Sequence, residues 1–200
     1  MINNPYKGKF IVFEGLDGSG KSVQTKLLTD FLENKGLPVL TTKEPTLDSE
    51  SGEIIREVLD EKKIISPKKL QDLYAKDRRE HLNKVIIPAL EEGKIVICDR
   101  YCFSSFAFGG LAVDLDYLLK INDEFLMPDA VFFINTRPET CVLWMERRGK
   151  KKTLFEKKEK LEKVYQNYQK VFKRFKDVII IDGEKTIDEV HNQVVEKLKL

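Results

Sequence analysis

KFIVFEGLDGSGKS, from Lys9 to Ser22, runs from an apolar stretch straight into three glycines, a lysine and two serines. The first half is nearly continuous in β-branched and aromatic residues, as in a strand buried on both faces of a parallel sheet. The second half, Gly15-Leu16-Asp17-Gly18-Ser19-Gly20-Lys21-Ser22, fits G-x-x-x-x-G-K-[ST] at every required position. Its glycines permit backbone conformations closed to other residues, so successive amide N–H groups can converge on one anion. A helix expected over Gly20–Lys35, with Val23, Leu27, Leu28, Phe31 and Leu32 on one stripe, adds its positive dipole end to that concavity. Strand, motif and helix in that order describe a phosphate loop, in which Lys21 reaches the β- and γ-phosphates and the Ser22 hydroxyl helps to hold Mg²⁺. A dinucleotide-binding turn is the weaker reading, because Val23 occupies the third glycine position of G-x-G-x-x-G.

Outward from this stretch, four more runs read as buried strands: PVLTT (38–42), KIVICD (94–99), DAVFFI (129–134) and DVIIID (177–182). Helical patterns lie between them. Ser66-Pro67 reads as an N-cap and first turn of a helix ending near Glu92, and Thr136/Glu139 and Thr186/Glu189 have capping-box spacing. The alternation gives one α/β domain over residues 1–200, a doubly wound parallel five-stranded sheet flanked by helices. Ligands in such sheets sit at the carboxyl ends of the strands, which directs attention to Glu14–Lys21, Lys43–Thr46, Asp99–Tyr101 and Asp182–Lys185.

The remaining strand ends separate the kinds of phosphate-loop protein. A GTPase needs a guanine-reading N-K-x-D, whereas Asn83-Lys84 here continues Val-Ile. Asp99-Arg100-Tyr101 puts a carboxylate and a guanidinium at a strand tip beside the loop. The carboxylate suits a water-mediated Mg²⁺ contact and the arginine a second phosphate, unless the two simply pair with each other.

On the motifs FEGLDGSGKS, TKEPT (42–46), LYAKDRRE (73–80), DRYCFSSFAFGG (99–110) and IDGEKTIDEV (181–190), the chain resembles the thymidylate kinase family over essentially its whole length. The resemblance implies transfer of phosphate from ATP to dTMP with Mg²⁺, usually in a homodimer, with the apolar side of the 67–92 helix as the candidate surface. It implies that Asp17 contacts the sugar 3′-hydroxyl of dTMP and orients Arg100, and that Arg56 and Arg100 grip the acceptor phosphate. Thymine would stack on Tyr74 and be bonded by Arg78, four residues on and so on the same helical face. Ser104 and Ser105 would meet base or phosphate, though both could also be helix-start caps, and Phe108 would crowd C2′ against ribose. The loop Asp182–Lys185, with Glu184 and Lys185, would pack along the adenine of ATP. A lid is implied over about 146–156, within Glu146-Arg147-Arg148-Gly149-Lys150-Lys151-Lys152, with Arg148 as the catalytic cation and Arg147 and Lys151 in reserve.

Departures from the family fall around the acceptor. Gly18 stands where some members carry an arginine, so charge on the migrating phosphoryl must be met from elsewhere. Phe108 replaces a frequent tyrosine, Gly109 a polar residue that often reads the base, and Lys43 a frequent arginine. Composition sets outer bounds. A net charge of +2 does not indicate a dominant attraction to nucleic acid or membrane. Cys98, Cys102 and Cys141, with His81 and His191, lack metal-ligand spacing and read as packed thiols and ordinary histidines of a cytoplasmic protein.

Overall fold

The computed structural model describes residues 1–46, 48–147, 154–175 and 178–198, without the side chains of 154–157. Its strands are β1 (Ile2–Asn3), β2 (Lys9–Glu14), β3 (Val39–Lys43), β4 (Ile95–Asp99), β5 (Leu126–Met127), β6 (Ala130–Asn135) and β7 (Val178–Asp182). Five of them form one sheet in the order β3-β4-β2-β6-β7, all parallel. These are the five expected runs, displaced by no more than one residue. The pair β1–β5 is a separate short parallel ladder that sequence reading missed, two residues long on each side and too short for a periodic signal.

The helices are α1 (Lys21–Asn34), α2 (Glu50–Leu59), α3 (Pro67–His81), α4 (Ile87–Glu91), α5 (Cys102–Ser104), α6 (Leu115–Ile121), α7 (Pro138–Arg147), α8 (Leu154–Phe172) and α9 (Ile187–Lys197). The helix expected over 67–92 is α3 and α4 joined by a π-helical turn, Leu82–Ile86. That turn brings the chain to Pro88, whose missing N–H would otherwise break an α-helical ladder. Ser66 caps α3 by accepting from Lys69 N, and Thr186 with Glu189 makes the expected capping box on α9. The box expected at Thr136 does not form: α7 begins at Pro138, and Thr136 Oγ1 donates to the Ser19 carbonyl.

Continuous apolar strands imply helices on both faces, and the core is divided accordingly. Phe10, Val12, Val96, Cys98, Val131 and Phe133 point to one side, under Leu90, Phe103, Phe106, Tyr168 and Val171. Ile11, Phe13, Ile97, Phe132 and Ile134 point to the other, where Leu28 and Leu32 of α1 and Val190 and Val194 of α9 cover them. Each fully buried Leu, Val or Phe contributes about 1.5–3 kcal/mol. The buried stripe of α1 is rotated from the expected one: Gln24 and Thr25 are buried with Leu28 and Leu32, and Gln24 donates to the Ile187 carbonyl. The register sets Phe13 beside Asp99, and Asp99 beside Lys43, so the strand ends carrying the motifs finish level. At the carboxyl end of β2, the chain leaves to β3 on one side and later to β6 on the other, the crevice where such sheets take ligands.

Candidate active site

The loop after β2 has the backbone its glycines foretold. Gly15 and Gly18 lie at φ 150° and 86°, and Gly20 caps α1 in the left-handed region. Space is as limiting as conformation. A Cβ on Gly18 would fall 2.8 Å from both the Cys141 carbonyl and Met145 Cγ, so α7 rests directly on the loop. Lys21 is buried and donates from Nζ to the Leu16 carbonyl at 2.8 Å. Burial, and secondarily repulsion from Arg100, lowers its pKa to about 8.

Arg100 leaves the tip of β4 with φ 75°, a left-handed backbone uncommon outside glycine. Its Nη1 donates to the Gly15 carbonyl at 3.1 Å and to Ser104 Oγ at 2.9 Å, while Nη2 donates to Asp17 Oδ1 at 2.5 Å. The guanidinium also lies 5.1 Å from the centre of the Phe108 ring. Burial opposes its charge, but Asp17, Tyr168, Glu14 and Asp99 more than offset this and raise its pKa. Burial likewise works against the Asp17 carboxylate, yet Arg100, Lys21 and Lys160 hold its pKa below the ordinary value. The alternative, a local pairing of Asp99 with Arg100, is not formed. Asp99 Oδ2 instead accepts from Ser22 Oγ at 2.5 Å, and Arg100 turns to the loop.

Two residues to which the sequence reading gave no role of their own hold this arrangement. Glu14, fully buried at the end of β2, accepts from Tyr101 N, Ser104 N, Ser104 Oγ and the Tyr168 hydroxyl. Burial raises its pKa against the pull of Arg100 and these donors. The available signal was a carboxylate ending an otherwise apolar strand. Tyr168 of α8 is also fully buried, and its place on an ordinary amphipathic stripe gave no such signal.

The residues expected on the acceptor side divide. Tyr74 of α3 is half-buried, and its phenol pKa is raised by burial, with Arg100 and Asp17 both close enough to act on it. Arg78 is 2% exposed and spends three of its five N–H donors on protein: Nε on Glu44 at 2.7 Å, Nη1 on Asn122 and Nη2 on Ser105 Oγ. Ser104 and Ser105 cap no helix. One links Glu14 to Arg100, and the other accepts from Arg78. Arg56, on α2, is exposed and within salt-bridge reach of no carboxylate among the described residues; Asp60 feels its charge. Glu184 accepts from Arg137 N, Arg137 Nη2 and Thr140 Oγ1, which ties the Asp182–Lys185 loop to the start of α7, while Lys185 is exposed. Arg137 had been passed over in the sequence. The lid expected over 146–156 begins inside α7; Arg148, Lys150, Lys151 and Lys152 lie outside the described residues.

A divalent cation fits beside Ser22. Asp99 Oδ2 takes the Ser22 hydroxyl, but Oδ1 is enclosed with no hydrogen-bond partner among the described residues. One hydroxyl and one carboxylate are the sparse protein donors that suit Mg²⁺, which keeps several of its waters. A cleft of about 840 Å³ opens there, lined by Ser22, Asp99, Thr42, Lys43, Thr46 and Ser49 among others.

A phosphate loop on the middle strand, with a guanidinium from the adjoining strand turned onto that loop, is the layout of P-loop nucleoside monophosphate kinases. The chain matches the thymidylate kinase family over residues 13–194. It is 40% identical to a probable thymidylate kinase of Pyrococcus horikoshii, covering 96% of this chain and 97% of the relative. It is also 40% identical to a probable thymidylate kinase of Methanocaldococcus jannaschii over 100% and 98% of the two chains. A thymidylate kinase of Caldicellulosiruptor saccharolyticus is 38% identical over 94% of each. The chain belongs to the thymidylate kinase family.

Proposed function

We infer that the protein transfers the γ-phosphoryl group of ATP to dTMP, yielding ADP and dTDP, the precursor of dTTP. The observation that carries this is the Asp17–Arg100 hydrogen bond: an acid inside the phosphate loop touches the guanidinium of the neighbouring strand, so two phosphate-binding elements share one boundary. The amides of Gly15, Leu16, Asp17, Gly18, Ser19, Gly20, Lys21 and Ser22 wrap the triphosphate, and Lys21 Nζ exchanges its Leu16 carbonyl for phosphate oxygens. Arg100 and Arg56 hold the acceptor phosphate, an oxygen of which bonds to the γ-phosphorus as the bond to the β–γ bridging oxygen breaks. Asp17 keeps Arg100 aimed and meets the sugar, Tyr74 stacks on the base, Arg78 bonds it with its remaining donors, and Phe108 covers the sugar. Ser104 and Ser105 act through Arg100 and Arg78 as positioning residues. Glu184 and Lys185 flank the adenine. Ser22, and Asp99 through water, would hold Mg²⁺, which supplies charge neutralisation at the phosphates when bound. Arg148 provides the further cation the migrating group requires.

A cytoplasmic homodimer joined through the apolar side of the 67–92 helix belongs to the same reading; Val85 is 38% exposed there, and Cys98, Cys102 and Cys141 are free thiols. Among the described residues, no helix is long and apolar enough to cross a membrane. Coupled ADP release with dTMP, dUMP, dCMP, dGMP and their ribo counterparts tests the function. The greatest kcat/KM is expected with dTMP. A different preferred acceptor would reassign the substrate, and no acceptor-dependent ADP at all would leave only a nucleotide-dependent binding switch.

A further inference from the structure

Gln71 lies on α3, three residues before Tyr74 and seven before Arg78, so the three side chains share one helical face. It is 7% exposed, and its Oε1 is enclosed with no hydrogen-bond partner among the described residues. Its amide group fills the position where any other residue at 109 would put a side chain. A Cβ on Gly109 would lie 2.7 Å from Gln71 Cδ and Oε1 and 3.0 Å from Nε2. Gly109 follows Phe108, whose ring packs on the Arg100 guanidinium, and both belong to the π-helical turn Ser105–Gly109. The amide therefore stands in the wall between the stacking tyrosine and the acceptor-phosphate arginine. A buried carbonyl without a donor is costly, and one that persists calls for a partner that the fold itself does not supply.

We propose that Gln71 of α3, reaching across the gap left by Gly109, is the residue that reads the hydrogen-bonding edge of the acceptor base. The required ligand carries a planar N–H beside a carbonyl: Oε1 accepts the N–H and Nε2 donates to the carbonyl. The imide edge of thymine or uracil presents that pair, with N3–H between two carbonyls, whereas cytosine presents an unprotonated N3. The claim deepens the acceptor-site reading above and rests on it.

The test is a cycle of variant against substrate. Wild type, Gln71→Leu and the near-isosteric Gln71→Met are compared with dTMP, dCMP and N3-methyl-dTMP, measuring kcat and KM separately, with a thermal melt for each protein. In wild type, N3-methylation is expected to raise KM at least tenfold, about the loss for one buried hydrogen bond. Both variants are expected to raise KM for dTMP about tenfold with kcat within threefold, to shrink the N3-methyl penalty to less than threefold, and to melt no lower than wild type. A purely structural glutamine would lower the melting temperature and leave the methyl penalty intact. An N3-methyl penalty equal in wild type and both variants overturns the assignment while dTMP turnover stands. If wild-type protein shows no dTMP-dependent ADP release, the acceptor-site reading and this inference fall together.

Discussion

Asp17 Oδ1 accepts a hydrogen bond from Arg100 Nη2 at 2.5 Å, joining residues on the loops after β2 and β4. The carboxylate is 60% exposed and the guanidinium 19%. An ion pair so open to water contributes only about 0–1 kcal/mol to stability, so its importance lies in where it aims Arg100. Asp17→Asn is expected to change unfolding free energy by less than about 1 kcal/mol. The same change should lower kcat/KM for dTMP by roughly a hundredfold, as for a misplaced clamp. Thermal melts and steady-state kinetics on one preparation decide this; a loss of activity no larger than the stability change implies would sink the positioning role.

Lys21 makes pH a probe of the phosphate loop. With its pKa lowered to about 8, the lysine is still mostly cationic at neutral pH and loses its charge above that value. Since kcat/KM reports the free enzyme, kcat/KM for ATP should fall through pH 8–9, while kcat holds to higher pH because bound phosphate retains the proton. The stability sign is opposite to that of a paired lysine. Between about pH 8 and 10.5 the unfolded chain binds more protons than the folded one, so the contribution of Lys21 improves as pH rises through that window. Lys21→Met is accordingly expected to raise the melting temperature at pH 7 while abolishing turnover. A lower melting temperature at pH 7 would contradict the burial effect.

Glu14 tests the scaffold. Its folded pKa lies above its unfolded value of 4.5, so the stability it contributes is complete below pH 4.5 and is lost as pH rises through the folded pKa. Glu14→Gln should flatten that part of the stability–pH curve. It should also break at least one of the bonds to Ser104 and Tyr168, because one carboxylate oxygen becomes a donor. A kcat loss of at least tenfold is expected, since a buried network acts on the geometry of Arg100. Urea titrations from pH 4 to 8 give the first result, and single-turnover kinetics the second.

Arg148 is the cation proposed for the migrating phosphoryl group. A catalytic arginine is worth about 10³–10⁵ in rate, whereas an exposed charge of no function contributes at most about 1 kcal/mol. Arg148→Ala should lower kcat at least a hundredfold and Arg147→Ala less than threefold. The reverse order would move the role to the last residue of α7.

How much could be seen beforehand follows from where each signal resides. Strand positions and the loop were legible because continuous apolar runs and glycine spacing are properties of adjacent residues, as in Lys9–Ser22. Glu14, Tyr168, Gln71 and Arg137 were not, because their importance lies in partners far along the chain: Glu14 with Tyr168, Gln71 beside Gly109, and Arg137 with Glu184. The Glu44–Arg78 ion pair is of the same kind. Two motifs that the sequence presents separately, TKEPT and LYAKDRRE, prove to bond each other through residues 34 apart. The missed box at Thr136 had the right local spacing, but a tertiary bond to the Ser19 carbonyl took the hydroxyl.

The left-handed backbone at position 100 sets two selection pressures against each other. Chain geometry there favours glycine, by about 1–2 kcal/mol over most side-chain-bearing residues, while the proposed chemistry calls for a guanidinium. Directed evolution screening only for heat resistance would drift toward losing this side chain, and thermostabilisation campaigns should hold the codon fixed.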